Sequence, residues 1–111
     1  MKPITNTVHN FNSAESFLKG KSERKIGHNT TVVRISDTSI GIKLHSTVVV
    51  EYCNNETATL RTGGWQSVIT KDRLNTFSGG AWRVWAEKGE WHVSNGGEAF
   101  DFEDGVIVGT N

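Results

Sequence analysis

The chain has 111 residues with one cysteine, and its twelve basic and twelve acidic residues give a formal net charge of zero. A length near the commonest domain size predicts one domain over residues 1–111, able to bury roughly 65% of its unfolded surface. The lone cysteine excludes an internal disulfide, no apolar run approaches the roughly 18 residues of a membrane helix, and zero net charge argues against a general phosphate-binding surface.

The amino-terminal segment is polar. Residues 1–13 contain several asparagine and threonine residues and one proline, a composition typical of an extended arm. Ser13 is a favourable N-cap, so we expect a short helix to begin there and to end at Gly20, with Phe17 and Leu18 on its apolar side. The segment lacks the apolar stretch of a signal peptide and, with the single cysteine, favours an intracellular setting.

Residues 19–25, KGKSERK, contain four cations and one acid. A phosphate-contacting loop and a solvated linker are the two interpretations of such a run. Gly20-Lys21-Ser22 is similar to the end of a nucleotide-binding P-loop, but the motif's upstream glycine and its preceding strand are both missing. We therefore expect a linker.

Alternation with a period of two begins at Thr30 and predicts β-structure through the middle of the chain. The turns between these strands contain Asp37-Thr38 and Asn54–Glu56, and asparagine tolerates the left-handed conformation of tight turns. The predicted strands are Thr30–Ser36, Ser39–His45, Thr47–Tyr52 and Thr57–Arg61.

Gly63-Gly64 predicts a tight reversal of the chain. A brief strand over Trp65–Ile69 should follow it. Thr70 then has the character of an N-cap for a helical turn that extends through Asn75, and Ser78–Gly80 should end that turn.

The last third of the chain is patterned as a β-meander, with glycine-containing turns between short alternating segments. Together these patterns predict a mainly β fold, α+β at the margin, with about eight short antiparallel strands in a sandwich or open barrel and two short helices. The last four predicted strands are Ala81–Ala86, Trp91–Ser94, Glu98–Phe102 and Val106–Val108.

Motifs for catalysis and metal binding are absent from the sequence. The four histidines and Cys53 do not have zinc-ligand spacing, and no Gly-X-Ser-X-Gly elbow occurs. An acidic cluster at residues 98–104 lacks the spacing of a calcium loop, and a solvated hairpin tip explains it better. We therefore expect a protein that is not an enzyme and that holds no metal and no cofactor.

Four tryptophans in 111 residues are the most informative feature of the composition. Trp82 and Trp91 share the phase of the apolar positions in their strands and should lie in the core. Trp65 follows a tight turn, and Trp85 has the opposite phase. An exposed tryptophan near cations can stack on a base, a nucleotide or a partner protein, although a second layer or a protomer contact would equally cover Trp85. The candidate binding residues are Arg61, Trp65, Lys71, Arg73, Arg83 and Trp85.

Several strings in the chain resemble a family of small tailed-phage proteins. These strings are Leu44-His45-Ser46-Thr47, Thr62-Gly63-Gly64-Trp65, Thr70-Lys71-Asp72-Arg73-Leu74-Asn75 and the turn Phe102-Glu103-Asp104-Gly105. The similarity extends over roughly residues 20–108. It implies a phage origin and action inside the host cytoplasm, without implying a mechanism.

Three functional hypotheses follow. The first is a non-enzymatic anti-defence inhibitor that occupies a host protein complex or sequesters a nucleotide ligand. The second is a single-stranded nucleic-acid-binding module that uses the six candidate residues for stacking and phosphate contacts. The third is a structural or virion-accessory protein that acts as a homo-oligomer. None of the three involves a membrane.

Overall fold

The computed structural model describes residues 8–111, which form nine strands and two short helices. The helices are α1 (Phe11–Leu18) and α2 (Val68–Thr76). The strands are β1 (Glu23–Gly27), β2 (Thr30–Ser36), β3 (Ser39–Leu44), β4 (Thr47–Cys53), β5 (Thr57–Leu60), β6 (Trp82–Glu87), β7 (Glu90–Asn95), β8 (Glu98–Asp101) and β9 (Val106–Gly109).

The strands form two antiparallel sheets. A six-stranded sheet has the order β1-β2-β3-β4-β5-β9, and a three-stranded sheet has the order β6-β7-β8. Neither sheet closes into a barrel. The predicted mainly β, antiparallel fold with two short helices is therefore confirmed, as a pair of open sheets.

One hydrophobic core joins both sheets and both helices. The alternation in β3, β4 and β5 places one apolar face of the large sheet toward this core, while the small sheet contributes its own apolar face. The prediction that Trp82 and Trp91 belong to the core is confirmed. The largest completely buried side chains are Tyr52, Phe77, Leu18, Ile40, Ile42, Leu60 and Leu74.

Polar side chains connect the layers at three points. The Tyr52 hydroxyl donates a hydrogen bond of 2.6 Å to the Phe77 carbonyl at the end of α2. The Asn75 amide both donates to and accepts from the backbone of Val84, which satisfies one position on the free edge of β6. The Asn95 side chain bonds both backbone groups of Gly109 and thereby joins the two sheets. Such amide contacts satisfy strand-edge groups that would otherwise require water.

The first helix begins earlier than the sequence predicts. Asn10, not Ser13, is the N-cap, because the Asn10 side chain accepts from the Ser13 backbone at 2.8 Å while the Ser13 hydroxyl accepts from the Asn10 backbone at 3.1 Å. This reciprocal pair is a capping box with serine at the third helical position. The predicted extended arm at residues 1–13 is wrong for its last residues, since α1 begins at Phe11; residues 1–7 lie outside the described part of the chain.

The basic linker predicted at residues 19–25 is also partly wrong, because β1 begins at Glu23 and pairs with β2. β1 is a strand additional to the eight predicted, and its side chains are mostly polar. It lies at the edge of the six-stranded sheet, and charged side chains on such an edge discourage pairing with other chains.

The strand predicted at Trp65–Ile69 does not exist. Residues 65–67 are a loop, and α2 begins at Val68. Ser67 caps this helix, with its hydroxyl accepting from the Thr70 backbone at 3.2 Å, so the predicted Thr70 cap is three residues too late. Both residues are good N-caps, and sequence alone does not decide between them.

Candidate functional site

The Trp65 loop, residues 62–67, joins β5 to α2. Gly63 and Gly64 both have positive φ, at 64° and 88°, as a two-residue reversal of this hand requires. The Trp65 backbone then donates to the Thr62 carbonyl at 3.1 Å and closes the turn. The predicted Gly-Gly reversal is confirmed, and it presents Trp65 at the tip.

Asp104, from the turn before β9, holds this loop in place. Its carboxylate accepts from the Thr62 backbone at 2.9 Å, the Thr62 hydroxyl at 2.8 Å and the Gly63 backbone at 2.8 Å. Burial alone would raise the pKa of Asp104, but these hydrogen bonds and the charge of Arg61 outweigh it and lower the pKa below its ordinary value. The Asp104 carboxylate is therefore fully ionised at neutral pH. We call this carboxylate and its three hydrogen bonds to the loop the Asp104 clamp.

The loop lies against the turn between β3 and β4. A Cβ built on Gly63 would come within 2.6 Å of the Thr47 side chain, so only glycine permits this approach. Between the two turns and the start of α2 lies a groove of about 350 Å³. Its lining consists of Leu44, His45, Ser46, Thr47, Val49, Thr62, Trp65, Ser67, Ile69 and Thr70.

Exposed apolar side chains cluster beside this groove, and two of them, Trp65 and Ile69, line it. Trp65 is 70% exposed, Val68 77% and Ile69 54%. They are three of the six large apolar side chains that are exposed in residues 8–111, and they lie within five consecutive positions. We call these three residues the Trp65 patch. This clustering distinguishes the three residues from the other exposed apolar side chains in residues 8–111, which lie apart from them in the sequence.

Both walls of the groove are free of formal charge. Residues 44–50, LHSTVVV, and residues 62–70, TGGWQSVIT, contain no Lys, Arg, Asp or Glu, although a charged residue flanks each end of both segments. Within residues 8–111, His45 is the only groove-lining residue with an ionisable side chain. The described residues that line the groove therefore carry no fixed charge themselves, although the ionised Asp104 carboxylate accepts a hydrogen bond from the hydroxyl of the groove-lining Thr62.

Two of the candidate cations, Arg61 and Lys71, contact other side chains of the protein. Arg61 pairs with Glu51 at 3.1 Å on the neighbouring strand. The Lys71 ammonium lies 5.5 Å from the centre of the Trp91 ring, at cation–π distance. Neither side chain lines the groove beside Trp65.

Arg73 makes more contacts within the protein than Arg61 or Lys71. Its guanidinium donates to the Thr30 hydroxyl at 2.9 Å and pairs with Asp72 at 2.6 Å, and its side chain is only 12% exposed. It also reaches the His28 carbonyl at 3.4 Å. These contacts connect α2 to the turn before β2, so Arg73 has a structural role in this conformation.

Arg83 and Trp85 lie elsewhere, on the outward face of the three-stranded sheet. Trp85 is half-buried because its ring packs against His92, with ring centres 5.6 Å apart. His92 Nδ1 in turn lies 3.4 Å from an Asp101 carboxylate oxygen. Trp85 and Trp65 therefore have different neighbours, and the six candidate residues do not form one groove.

Arg83 is exposed, and among residues 8–111 no carboxylate lies within ion-pair distance of it. It contributes to the wall of a second, more open groove of about 500 Å³. The turns Gly79-Gly80 and Gly96-Gly97 border this groove, and a Cβ on Gly80, Gly96 or Gly97 would meet nothing within 4 Å.

The comparison with protein families identifies the origin of the chain. A model described as Kyanoviridae Gp96 protein matches residues 9–109, which include both grooves and the whole Trp65 patch. The chain belongs to this family. Its proteins are those of cyanophages, so the resemblance to phage proteins is confirmed. No curated protein and no solved structure matches the chain.

Sequence reasoning selected Trp65 but missed its neighbours in this phage protein. Val68 and Ile69 belong to the predicted strand Trp65–Ile69, whereas the structure places them in the first turn of α2 with both side chains exposed. Asp104 was grouped with surface acids, since no local pattern indicates a carboxylate that bonds to Thr62, 42 residues away.

Two further properties bear on the kind of site. In the described part of the chain, no group of three or more His, Cys, Asp or Glu residues is placed to hold a metal ion. Nor does any helix between residues 8 and 111 have the length and apolar character to cross a membrane.

Proposed function

We propose that this phage protein is a non-enzymatic binding protein that inhibits a host defence component by occupying a host protein complex, with the Trp65 patch as its contact surface. The observation that carries the proposal is a tryptophan exposed by 70% on a loop whose backbone is fixed by the Asp104 carboxylate. Action in the host cytoplasm belongs to the same proposal.

A fixed loop reduces the entropic cost of binding. Two glycines would normally make residues 62–67 flexible, but the three hydrogen bonds to Asp104 and the closed turn hold one conformation. A pre-organised aromatic side chain is typical of binding hot spots, where tryptophan is enriched and a few residues dominate the affinity.

The groove favours a protein partner over a nucleotide. Phosphate groups are bound by cations or by free backbone amides, and none of the described residues that line the groove is Lys or Arg. Arg61, Lys71 and Arg73, which the sequence offered for this purpose, contact Glu51, Trp91 and Asp72. An apolar side chain of a partner protein needs none of these cations.

Affinity capture from lysate of infected host cells tests this proposal. The tagged full-length protein and its Trp65→Ala and Ile107→Ala variants are compared, since Ile107 is 65% exposed and lies on β9, outside the groove. A host protein retained by the parent and by Ile107→Ala, but lost from Trp65→Ala, supports the proposal. Retention of every captured protein by Trp65→Ala would refute the assigned surface.

A single-stranded nucleic-acid-binding role, or sequestration of a nucleotide, is the second candidate. The observation that favours it is Arg83, which has no ion pair among the described residues, beside the 500 Å³ groove and two positions from Trp85. Titration with an oligonucleotide and with free nucleotides at two salt concentrations tests it. Affinity that falls as salt rises and is lost in Arg83→Ala supports this role, and affinity independent of salt removes it.

A further inference from the structure

We infer that Asn95 is a site of spontaneous deamidation, and that the junction its side chain forms between the two sheets controls when the reaction occurs. The product carries an acid in place of the amide and weakens that junction, so the modification acts in one direction only. Asn95 lies outside the groove beside Trp65, and the reaction therefore goes beyond the proposed binding function.

The reactive pair is Asn95-Gly96, which is the only Asn-Gly dipeptide in the 111 residues. Asparagine is chemically labile, and most so before glycine, which has no side chain to shield its own nitrogen from the preceding amide. Gly96 is exposed in the turn between β7 and β8, and a Cβ built on it would meet nothing within 4 Å. Its backbone amide makes no hydrogen bond within residues 8–111. The attacking nitrogen is therefore accessible and unpartnered in the described structure.

The reaction has two steps, and water is its only co-reactant. In the first step the Gly96 backbone nitrogen loses its proton and forms a bond to Asn95 Cγ. The Cγ–Nδ2 bond breaks, and the amide nitrogen leaves as ammonia with that proton, which closes a five-membered succinimide ring. In the second step water adds to one of the two ring carbonyl carbons, and the bond from that carbon to the Gly96 nitrogen breaks as the nitrogen regains a proton. Aspartate or isoaspartate then occupies position 95.

The folded structure holds the other reactant, the Asn95 amide, away from this reaction. Nδ2 donates to the Ala81 carbonyl at 2.8 Å and to the Gly109 carbonyl at 3.2 Å, and Oδ1 accepts from the Gly109 amide at 2.9 Å. Ring closure requires the side chain to fold back onto the backbone of its own turn, whereas these partners lie next to β6 and at the end of β9. The amide must leave all three bonds first, so the reaction proceeds from an opened junction.

Deamidation removes the donor side of the junction. A carboxylate accepts hydrogen bonds and donates none, so the carbonyl oxygens of Ala81 and Gly109 lose their donor and face a negative charge. Only the bond from the Gly109 amide can form again. Isoaspartate also adds one carbon to the backbone of the turn. Both products therefore disfavour closure of the junction.

Incubation of the full chain in mildly alkaline buffer, with and without denaturing urea, tests the inference, with peptide mass spectrometry as the measurement at Asn95. We expect deamidation to be at least about tenfold faster in urea, because the closed junction leaves only a small reactive population. Gly109→Pro removes the N–H that bonds Oδ1 and should raise the rate without urea. Gly109→Ala is the matched control, because it keeps this N–H and its Cβ would meet Oδ1 at an ordinary contact distance of 3.8 Å.

Equal rates with and without urea, or an Asn95 that stays intact in urea, would overturn the inference. Equal rates in folded Gly109→Pro and Gly109→Ala would also overturn control by the junction; if Gly109→Pro does not fold, the comparison of the parent in the two solvents decides. Asn95→Asp reproduces one product and should melt at a lower temperature than the parent. An unchanged melting temperature would contradict the weakening of the junction.

Discussion

The Asp104 clamp gives the sharpest prediction about how the candidate site is built. Replacing Asp104 by alanine removes the acceptor of three hydrogen bonds of 2.8–2.9 Å, two from backbone amides and one from the Thr62 hydroxyl. A hydrogen bond to a charged group contributes about 1.5–3 kcal/mol when partly buried. Because the Asp104 side chain is exposed to solvent, we reduce the expected total loss in the free energy of unfolding to about 1–2 kcal/mol.

Urea unfolding and amide hydrogen exchange measure the two parts of this effect. The Asp104→Ala variant should lose the stated stability, and the amides of Thr62 and Gly63 should exchange much faster while the amides of β3 and β4 remain protected. Glu103→Ala is the matched control: it removes a neighbouring exposed acid whose side chain makes no hydrogen bond or ion pair in the described structure. Equal exchange at Thr62 and Gly63 in both variants would refute the clamp.

The pH dependence of the clamp has a definite sign. Because the pKa of Asp104 is lower in the folded than in the unfolded state, ionisation stabilises the fold above the unfolded pKa of about 3.9. This contribution is lost as the pH falls through the folded pKa. The stability difference between the parent and Asp104→Ala should therefore be constant near neutral pH and should shrink below about pH 4.

The remaining predictions concern the packing around the site. Gly63→Ala should destabilise the fold by more than Gly64→Ala in thermal melts, because both have positive φ but only a Cβ on Gly63 meets Thr47, at 2.6 Å; equal losses would contradict the close approach. Asn75→Ala should lower the free energy of unfolding in urea by about 1–3 kcal/mol, because it leaves both backbone groups of Val84 on the β6 edge without their partner. An unchanged free energy of unfolding would show that water replaces the amide. Tyr52 is the single tyrosine, and burial raises its pKa well above 10. Its absorbance near 295 nm, which reports ionisation of the phenol, should therefore not change until the protein unfolds at alkaline pH. Ionisation in the folded state with a pKa near 10 would contradict its burial.

The strands were predictable from the sequence where alternation and turn chemistry agree. The segments β2 to β5 are bounded by polar turns, and Gly63-Gly64 reverses the chain with positive φ at both residues, as the sequence predicts. The glycines of Ser78–Gly80, predicted to end the helical turn, follow α2 and also have positive φ. The start of α2 was not predictable, because Ser67 and Thr70 are equally suited to cap a helix and only packing selects between them.

The site was predictable only in part. The Gly63-Gly64 reversal before Trp65 is a local feature that the sequence predicts, whereas the exposure of Trp65 follows from the structure. The contacts that the Arg73 and Asp104 side chains make within the protein are not local in the sequence. Arg73 donates to Thr30, which is 43 positions away, and the Asp104 carboxylate accepts from Thr62, which is 42 positions away. No periodicity encodes such pairs, so the sequence left Arg61, Lys71 and Arg73 available for a ligand where the structure gives each an intramolecular contact.

Site-specific photo-crosslinking in infected host cells tests the central claim most directly, namely that the rim of the groove beside Trp65 contacts a host protein. A photoreactive amino acid replaces the exposed Gln66, next to Trp65, and in a parallel variant replaces Ile107 on β9. We expect a discrete adduct with a host protein from position 66, lost when Trp65→Ala is added, and no such adduct from position 107. An adduct from position 107 with none from position 66 would contradict it.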